Sequence, residues 1–180
     1  MQNIIYKSES ILPWDTQSAF KMTSYNVSKE EHMVFCYLKT YVHGEDLILC
    51  CYNFLEDPTG NDSIEFYLNM SEEKESILKI TFGYDGIKEA IHDGRKCTDL
   101  LKYSTFKAND EQGFYWCGEI TISKSIINEL WNTVPAEKSI ITLNMVQKFP
   151  NGDFSVLNGN ALDKDYNAES NMDVFVILNY

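Results

Sequence analysis

A short segment of the sequence places an acid, a phenol and an amide at the spacing of an extended strand. Apolar and polar residues alternate through residues 61–69 (NDSIEFYLN), and Glu65, Tyr67 and Asn69 fall on one side. Because successive side chains of a strand point to opposite faces, the segment predicts a strand with one core face and one polar face. The polar face either binds a polar ligand or is simply solvated.

A single arginine, Arg95, stands among the 15 cationic residues of the chain. Codon preference explains the excess of lysine, but it does not explain why this position keeps arginine. The planar guanidinium is better suited than an ammonium group to take two neighbouring acceptors at once. Arg95 therefore has the chemistry to hold a paired acceptor.

Catalytic arrangements are weakly represented in the sequence. Glu65 and Glu119 are both mid-strand carboxylates, and a glycosidase needs two carboxyl groups about 5–10 Å apart across a cleft. Alternation alone does not tell whether these two share a face. The sequence has no GxSxG elbow, and none of the three histidines (His32, His43 and His92) stands beside an evident nucleophile. We therefore expect no enzymatic activity, with a glycoside hydrolase-type activity as the alternative.

Acidic and amide residues alternate near the C-terminus, at Asp163, Asp165, Asn167, Glu169 and Asn171. The spacing is similar to that of a calcium-binding loop, but alanine replaces the glycine of its sharp turn and valine replaces its bidentate glutamate. We expect a solvated loop and no cofactor, with a structural Ca²⁺ near Asp163 and Asp165 as the alternative. The cysteine and histidine spacings do not match a zinc site.

The composition limits the range of partners. The formal net charge is −12, and aromatic residues make up 13% of the 180 residues. Strong negative charge disfavours nucleic acids and anionic membrane surfaces, which attract lysine and arginine. Neutral ligands, metal cations and basic proteins remain. The five cysteines include no CxxC motif, and we expect free thiols within apolar strands rather than a disulfide framework.

The sequence shows no targeting or membrane signal. No apolar run approaches the roughly 20 residues of a bilayer-spanning helix. The first residues lack the basic and apolar regions of a signal peptide. We therefore expect a soluble chain that is cytoplasmic as written, or extracellular if a leader has been removed.

Strand-like segments follow one another through most of the chain. The clearest are 32–42 with its return 47–55, then 63–69, 77–82, 100–107, 114–122, 138–149 and 173–178. Residues 4–6 predict a short edge strand, residues 87–93 fit either strand or helix, and Trp14 is expected to close one end of the core. Ser123 is typical of the N-cap of a helix over residues 124–131. Together these segments predict a single domain over residues 1–180, an all-β antiparallel β-sandwich with one short helix.

The order of these motifs resembles that of the family 9 carbohydrate-binding modules and their DOMON-like relatives. The shared features are a D-S-x-E-aromatic strand (residues 62–67), a G-R step (94–95), a W-x-x-E strand before a short helix (116–119) and a late strand bearing Asn144. Each motif is short, but the ordered set covers nearly the whole chain. The resemblance implies a DOMON-like, jelly-roll type β-sandwich that binds sugars without catalysis.

The resemblance also implies a set of ligand contacts. Glu65, Arg95 and Asn144 occupy the motif positions that contact the ligand in that family, and Tyr67 is the nearest aromatic candidate. A carboxylate or guanidinium can take vicinal hydroxyls in pairs, while the C–H face of a sugar packs on aromatic rings. These residues therefore predict a carbohydrate or another small polar ligand.

The two clasping tryptophans of that family have no counterparts in this sequence. Pro58–Asn61 precedes the D-S step, and near the second position only Phe154 is aromatic, with Leu157 at the best-aligned place. An alternative hypothesis follows, in which the sandwich has lost its sugar site and serves as a protein-interaction or structural domain. In that case Arg95 is either exposed and idle, or it forms an internal salt bridge with Glu65.

Overall fold

The structure is a computed structural model that describes residues 3–11, 17, 19–22, 24–25, 36–54, 62–73, 75–111, 113–150 and 152–180. Three parts of the sequence interpretation lie outside these residues. They are the predicted plug Trp14, the first four residues of the strand predicted over 32–42, and the loop that precedes the D-S step.

The described residues form fourteen strands and one α-helix, with a short 3-10 turn at Thr98–Leu100. The strands are β1 (Asn3–Ser8), β2 (Ala19–Lys21), β3 (Ser24–Tyr25), β4 (Cys36–His43), β5 (Asp46–Asn53), β6 (Ser63–Asn69), β7 (Leu78–Gly83), β8 (Gly86–His92), β9 (Arg95–Lys96), β10 (Lys102–Asp110), β11 (Gly113–Ile122), β12 (Ile140–Lys148), β13 (Phe154–Val156) and β14 (Asp173–Asn179). The helix α1 spans Lys124–Trp131, as its sequence spacing predicts. Residues 87–93, which fit either strand or helix in sequence, fall mostly in β8.

The strands make one curled sheet whose two halves face each other. The first half has the order β10-β11-β5-β4-β1, and the second continues as β14-β12-β6-β7-β8-β9. Fully buried apolar side chains of both halves belong to one core, and Phe82 of β7 meets Trp116 of β11 edge to face, 6.4 Å between ring centroids. This arrangement confirms the predicted all-β sandwich with one short helix.

Strand β6 lies inside the second half and is paired on both sides. It runs antiparallel to β12, with Tyr67 opposite Asn144, and antiparallel to β7, with Tyr67 opposite Lys79. Ile64, Phe66 and Leu68 are fully buried in the core, as alternation predicts. The polar face of β6 is also buried rather than solvated, because the chain after β12 covers it.

Strand β1 occupies a different place from the edge position that its sequence predicts. It lies between β14 and β4 and is parallel to both, with Tyr6 opposite Leu178 on one side and Tyr41 on the other. Its pairing partners come from distant parts of the chain, so the local pattern of residues 4–6 carries no information about them. β1 thereby joins the two halves of the sandwich.

Helix α1 begins after Ser123, but its first turn is held by another residue. Ser123 has the extended backbone of an N-cap and makes no side-chain capping bond; instead the Lys124 backbone N–H donates to Asp46 Oδ1 at 2.8 Å. At the other end the Trp131 indole N–H donates to the Ser76 carbonyl oxygen at 2.8 Å. None of the helical segments in the described part of the chain is long and apolar enough to cross a bilayer.

Candidate functional site

Glu65 is the centre of a polar cluster on the outer face of the second half. Its side chain is only 6% exposed. The Tyr67 hydroxyl donates to Glu65 Oε2 at 2.7 Å, and Lys148 Nζ donates to Oε1 at 2.9 Å. Lys79 Nζ lies 3.4 Å from the same Oε1 and 5.4 Å from the centroid of the Tyr67 ring. The cluster thus holds one carboxylate between two ammonium groups and a phenol.

The contacts of Glu65 keep it ionised although it is buried. Burial acts to raise the pKa of this carboxyl, but the hydrogen bonds from Tyr67 and Lys148 and the charges of Lys148 and Lys79 outweigh it, so the pKa lies below its ordinary value. Burial, and next the bond to Glu65, raise the pKa of the Tyr67 phenol. Near neutral pH the cluster therefore contains a carboxylate that accepts and a neutral phenol that donates.

A small cavity opens beside this cluster. It has a volume of about 230 Å³ and is lined by Glu65, Tyr67, Val146, Lys148, Phe154, Tyr166 and Ala168. The rings of Phe154 and Tyr166 lie 5.7 Å apart at 32°, so they form one aromatic wall facing the polar cluster. We name this cavity the Glu65 pocket. It combines charged groups, hydroxyls and ring surface, as a site for a polar ring compound requires.

Asn144 lies beside the Glu65 pocket, but its amide holds the chain rather than an open surface. It is fully buried, and its Nδ2 donates to Tyr166 Oη at 2.9 Å and to the Ala168 carbonyl oxygen at 3.0 Å. Its Oδ1 accepts from the backbone N–H of Met145 at 2.8 Å and of Asn158 at 3.1 Å. Asn144 thus anchors residues 158–171, which we name the cover segment, over the polar face of β6.

Arg95 lies far from Glu65. It is exposed on β9 opposite His92, at the edge of the second half and three strands away from β6. Three strand spacings alone amount to about 14 Å. Arg95 lines a separate cavity of about 390 Å³ together with His92, Cys97, Glu129 and Leu130, among others. The structure therefore brings Glu65, Tyr67 and Asn144 together and leaves Arg95 apart, so no Glu65–Arg95 salt bridge is formed.

The sequence did not predict Lys79 as a member of the polar cluster, nor Lys148 and Tyr166 as members of the Glu65 pocket. Lys79 and Lys148 lie on the same face as Glu65, and strand alternation in 77–82 and 138–149 carries enough information to place them on polar faces. Tyr166 carries no such signal, because it lies in the irregular cover segment and reaches the pocket only through tertiary contacts.

The possible catalytic pair of Glu65 and Glu119 is not assembled in this fold. Glu119 lies on β11 opposite Cys50, on the outer face of the first half, whereas Glu65 is on the outer face of the second. The halves of a sandwich are about 10 Å apart, and the two side chains point away from each other. The two carboxylates therefore do not face one cleft.

The alternating acids of the cover segment form turns. The Asp163 carboxylate accepts from the Asp165 N–H at 3.0 Å, and Asn167 Oδ1 accepts from the N–H groups of Glu169 and Ser170 at 2.8 and 3.2 Å. Within the described ranges, no group of three or more His, Cys, Asp or Glu side chains is arranged to hold a metal ion. A structural Ca²⁺ near Asp163 and Asp165 stays a prediction.

A larger hollow of about 820 Å³ lies along the same face of the sheet. Asn69, Lys79, Ile91, Thr142 and Met172 belong to its lining, together with several carboxylates. Among its described lining residues none is aromatic. It offers no ring for a sugar to stack on, and we therefore regard the smaller Glu65 pocket as the candidate site.

Glu65 and Glu119 are expected to change the stability with pH in opposite directions. The pKa of Glu65 is lowered in the folded state from the ordinary 4.5, so its contribution is present above that pH and is lost as the pH falls through the folded-state pKa. Burial raises the pKa of Glu119. Its contribution is therefore present at low pH and is lost as the pH rises through its folded-state pKa.

Urea unfolding of the wild type, Glu65→Gln and Glu119→Gln at pH 4 and pH 7 measures both effects. Glutamine stands in for a carboxyl that never ionises. Relative to the wild type, Glu65→Gln should be less stable at pH 7 than at pH 4, and Glu119→Gln should gain stability over the same interval. The same pH dependence in both variants would contradict the assignment.

Solved structures of carbohydrate-binding modules are similar to this fold. The chain aligns with a family 9 carbohydrate-binding module from Caldicellulosiruptor kristjanssonii in complex with cellotriose, at a TM-score of 0.72 and 9% identity, covering 99% of this chain and 95% of that one. The complex of such a module with glucose gives a TM-score of 0.72 and 9% identity over 100% and 97% of the two chains. The chain also aligns with a Bacteroides uniformis protein that has a provisional carbohydrate-binding description. The TM-score is 0.71 at 9% identity, and the alignment covers 98% of this chain and 99% of that one.

These similarities concern the fold. No protein-family model matches the sequence. No curated protein matches it in sequence either. The alignments nevertheless extend over almost the entire length of both chains. The predicted resemblance to family 9 carbohydrate-binding modules is therefore confirmed in the three-dimensional fold.

Proposed function

We propose that this chain is a non-catalytic carbohydrate-binding module that holds one sugar unit in the Glu65 pocket. The observation that carries the proposal is the ionised, buried Glu65 facing an aromatic wall across a cavity of about 230 Å³. The shared fold with modules that hold cellotriose and glucose supports it. Fold alone does not determine function, so the proposal rests on the chemistry of the pocket.

The pocket has hydrogen-bonding capacity left for a diol. A carboxylate has about four lone-pair positions, and the two lysines and Tyr67 use part of those on Glu65. An ammonium group has three N–H donors, and Lys148 donates one of them to Glu65. The Tyr67 oxygen can still accept after donating its proton. Two neighbouring hydroxyls can therefore donate to Glu65 and accept from Lys148 at the same time.

The aromatic wall supplies the apolar half of recognition. Phe154 and Tyr166 are partly buried and line the cavity from one side. The C–H face of a pyranose packs on such rings while its hydroxyls point to the polar side. The wall is composed of one phenylalanine and one tyrosine, which present less surface than tryptophans, so we expect modest affinity.

The size of the pocket sets the length of ligand that it encloses. Sites for drug-sized ligands measure about 300–1,000 Å³, and the Glu65 pocket is smaller than that range. One sugar ring fits this space, and further units of a chain would extend into solvent. The proposed contacts are Glu65, Tyr67, Lys148 and the aromatic wall. Arg95 and Asn144 stand outside this set, because one is distant and the other is engaged in holding the cover segment.

Calorimetric titration tests the proposal with glucose, cellobiose, cellotriose and a panel of other mono- and disaccharides. At least one sugar should give heat at millimolar or lower concentration. Glu65→Gln should weaken that binding about tenfold or more, since a hydrogen bond to a charged group contributes about 1.5–3 kcal/mol. Phe154→Ala should also weaken it.

Glu119→Gln is the matched control, because it removes a half-buried carboxylate on the opposite outer face. Its affinity should equal that of the wild type. If no sugar gives heat at millimolar concentration, the proposal fails. That result would favour the alternative, in which the sandwich serves as a protein-interaction or structural domain. If Glu119→Gln weakens binding as much as Glu65→Gln, the ligand is not in the Glu65 pocket.

A further inference from the structure

Four of the five cysteines stand in two pairs around strand β5. All five are free thiols and buried. Cys50 and Cys51 are neighbours on β5 and therefore point to opposite faces of the sheet. Cys51 faces the core with its Sγ 3.4 Å from that of Cys36, and Cys50 faces outward with its Sγ 2.8 Å from that of Cys117. As the sequence predicts, these four cysteines are free thiols within strands.

The register explains why Cys50 and Cys117 meet. Cys50 is opposite Glu119 and Cys117 is opposite Tyr52, so the two cysteines are diagonal neighbours on the same face of β5 and β11. The right-handed twist of paired strands shortens one of the two diagonals. The separation of 2.8 Å between the sulfur atoms shows that this is the short one. A bond of about 2.05 Å requires the atoms to approach by less than 1 Å.

The outer pair and the inner pair are covered by different kinds of side chain. Cys50 and Cys117 lie under a single layer of aromatic side chains, in which Tyr37, Phe54 and Tyr115 are only partly buried. Cys36 and Cys51, in contrast, belong to the main core between the two halves. A small reagent that displaces one of these partly buried rings therefore reaches the outer pair.

We propose that Cys50 and Cys117 are a redox modification site, in which a peroxide converts the two thiols reversibly into a disulfide between β5 and β11. The first thiolate attacks one peroxide oxygen and becomes a sulfenic acid as the O–O bond breaks and water leaves. The second thiolate attacks that sulfur and forms the S–S bond. The hydroxide displaced from the sulfenic acid takes up the proton released by the second thiol and leaves as a second water. Hydrogen peroxide is thus reduced to two waters while two thiols lose two electrons and two protons. A dithiol reductant reverses the step by exchange.

The environment makes this oxidation slow. The hydrogen bond with Cys117, and then burial, raise the pKa of the Cys50 thiol, and the thiolate is the reacting form. Brief, dilute peroxide should therefore leave the pair reduced, whereas longer exposure oxidises it. The sulfenic acid does not persist, because the partner sulfur is already in contact.

The disulfide would change the stability of the first half of the sandwich. Among the described strands, β11 is next to the edge of this half, and β10 is the strand outside it. A bond between residues 50 and 117 links it covalently to β5 and closes a long loop in the unfolded chain. The oxidised protein should therefore melt roughly 5 °C or more above the reduced protein.

Peptide mapping after hydrogen peroxide treatment, without reduction, tests the proposal on the full chain. Trypsin separates the three segments, because Lys39 lies between Cys36 and Cys50 and Lys107 lies between Cys51 and Cys117. The expected product is a peptide of residues 40–74 linked to one of residues 108–124, with two hydrogens lost from the intact mass. Dithiothreitol should restore the original mass and the original melting temperature.

Two variants separate the outer pair from the inner pair. Cys117→Ser should abolish both the loss of two hydrogens and the rise in melting temperature, while Cys36→Ala should retain both. The proposal is overturned if wild-type protein keeps all its thiols under peroxide, if it gives only sulfinic or sulfonic acids, or if the linked peptides contain Cys36. Mapping of the wild type decides the question even where a variant folds poorly.

Discussion

Asn144→Ala is expected to lower the free energy of unfolding by about 3 kcal/mol or more. The substitution removes an amide that is fully buried and bonded at both ends. It leaves the Asn158 N–H without its acceptor and takes one donor from the Ala168 carbonyl oxygen, which keeps the Asn171 N–H at 3.3 Å. A polar group left unsatisfied on burial costs about 1–3 kcal/mol, and the emptied space beside Tyr166 adds to the loss. Urea unfolding followed by circular dichroism measures the loss.

The expected loss comes from the position of Asn144 between β12 and the cover segment. Tyr166, which also bonds to Asn144, donates its own hydroxyl proton to the Asn158 carbonyl oxygen at 3.1 Å. Without the amide, the cover segment keeps the bond from Asn158 Nδ2 to the Leu143 carbonyl oxygen but loses its bonds to Asn144, so Tyr166 is held less firmly in the aromatic wall. Sugar binding should therefore weaken together with stability.

Asn167→Ala is the matched control for this prediction. Asn167 lies in the same segment and accepts two backbone bonds in a turn, but its side chain is exposed. Water replaces those bonds at little cost, so we expect a loss of about 1 kcal/mol or less. Equal losses in the two variants would mean that Asn144 does not anchor the cover segment.

Gly159→Ala is expected to destabilise the fold by about 2–3 kcal/mol and to weaken sugar binding. Gly159 has a φ of +96°, where a side chain is strained. A Cβ there would lie 2.8 Å from the Tyr166 ring and 2.9 Å from Asn171 Oδ1, so both must move. Moving Tyr166 removes part of the aromatic wall of the Glu65 pocket.

Gly152→Ala separates backbone strain from steric conflict. Gly152 has a similar φ of +88°, but a Cβ there meets nothing within 4 Å. Its substitution should cost only about 1 kcal/mol, the typical penalty for a non-glycine residue in this conformation. Thermal unfolding and calorimetric titration of both variants measure the difference. If both lose equal stability and both keep wild-type affinity, contact with Tyr166 is not the cause.

The longer elements of the fold could be predicted because each carries its own pattern, whereas the two- and three-residue strands β2, β3 and β9 could not. Alternation is sufficient for β6, and helical spacing is sufficient for α1. The position of β1 was not predictable, since its partners in β14 and β4 are set by the assembled sandwich. The capping of α1 shows the same limit: Ser123 stands at the right place, but Asp46, distant in sequence, makes the bond.

The candidate site was predicted in part for the same reason. Glu65 and Tyr67 meet because they are two residues apart on one strand face, which the sequence shows directly. The role of Asn144 depends on a segment that follows it by 14 to 24 residues, and no local pattern reports that contact. Arg95 was placed by motif order alone, and motif order does not fix which strands separate two residues.

The parallel pairing of β1 and β14 has a mechanical consequence. The register runs from Asn3 beside Phe175 to Lys7 beside Asn179, so the two strands run in the same direction along their contact. Tension applied at residues 3 and 179 pulls these strands past each other lengthwise. The backbone bonds between them then share the load and must rupture together, instead of opening one after another as in a peeled hairpin. The β1–β14 contact between the two halves is thus loaded in shear, and this is the geometry in which a short sheet best resists force.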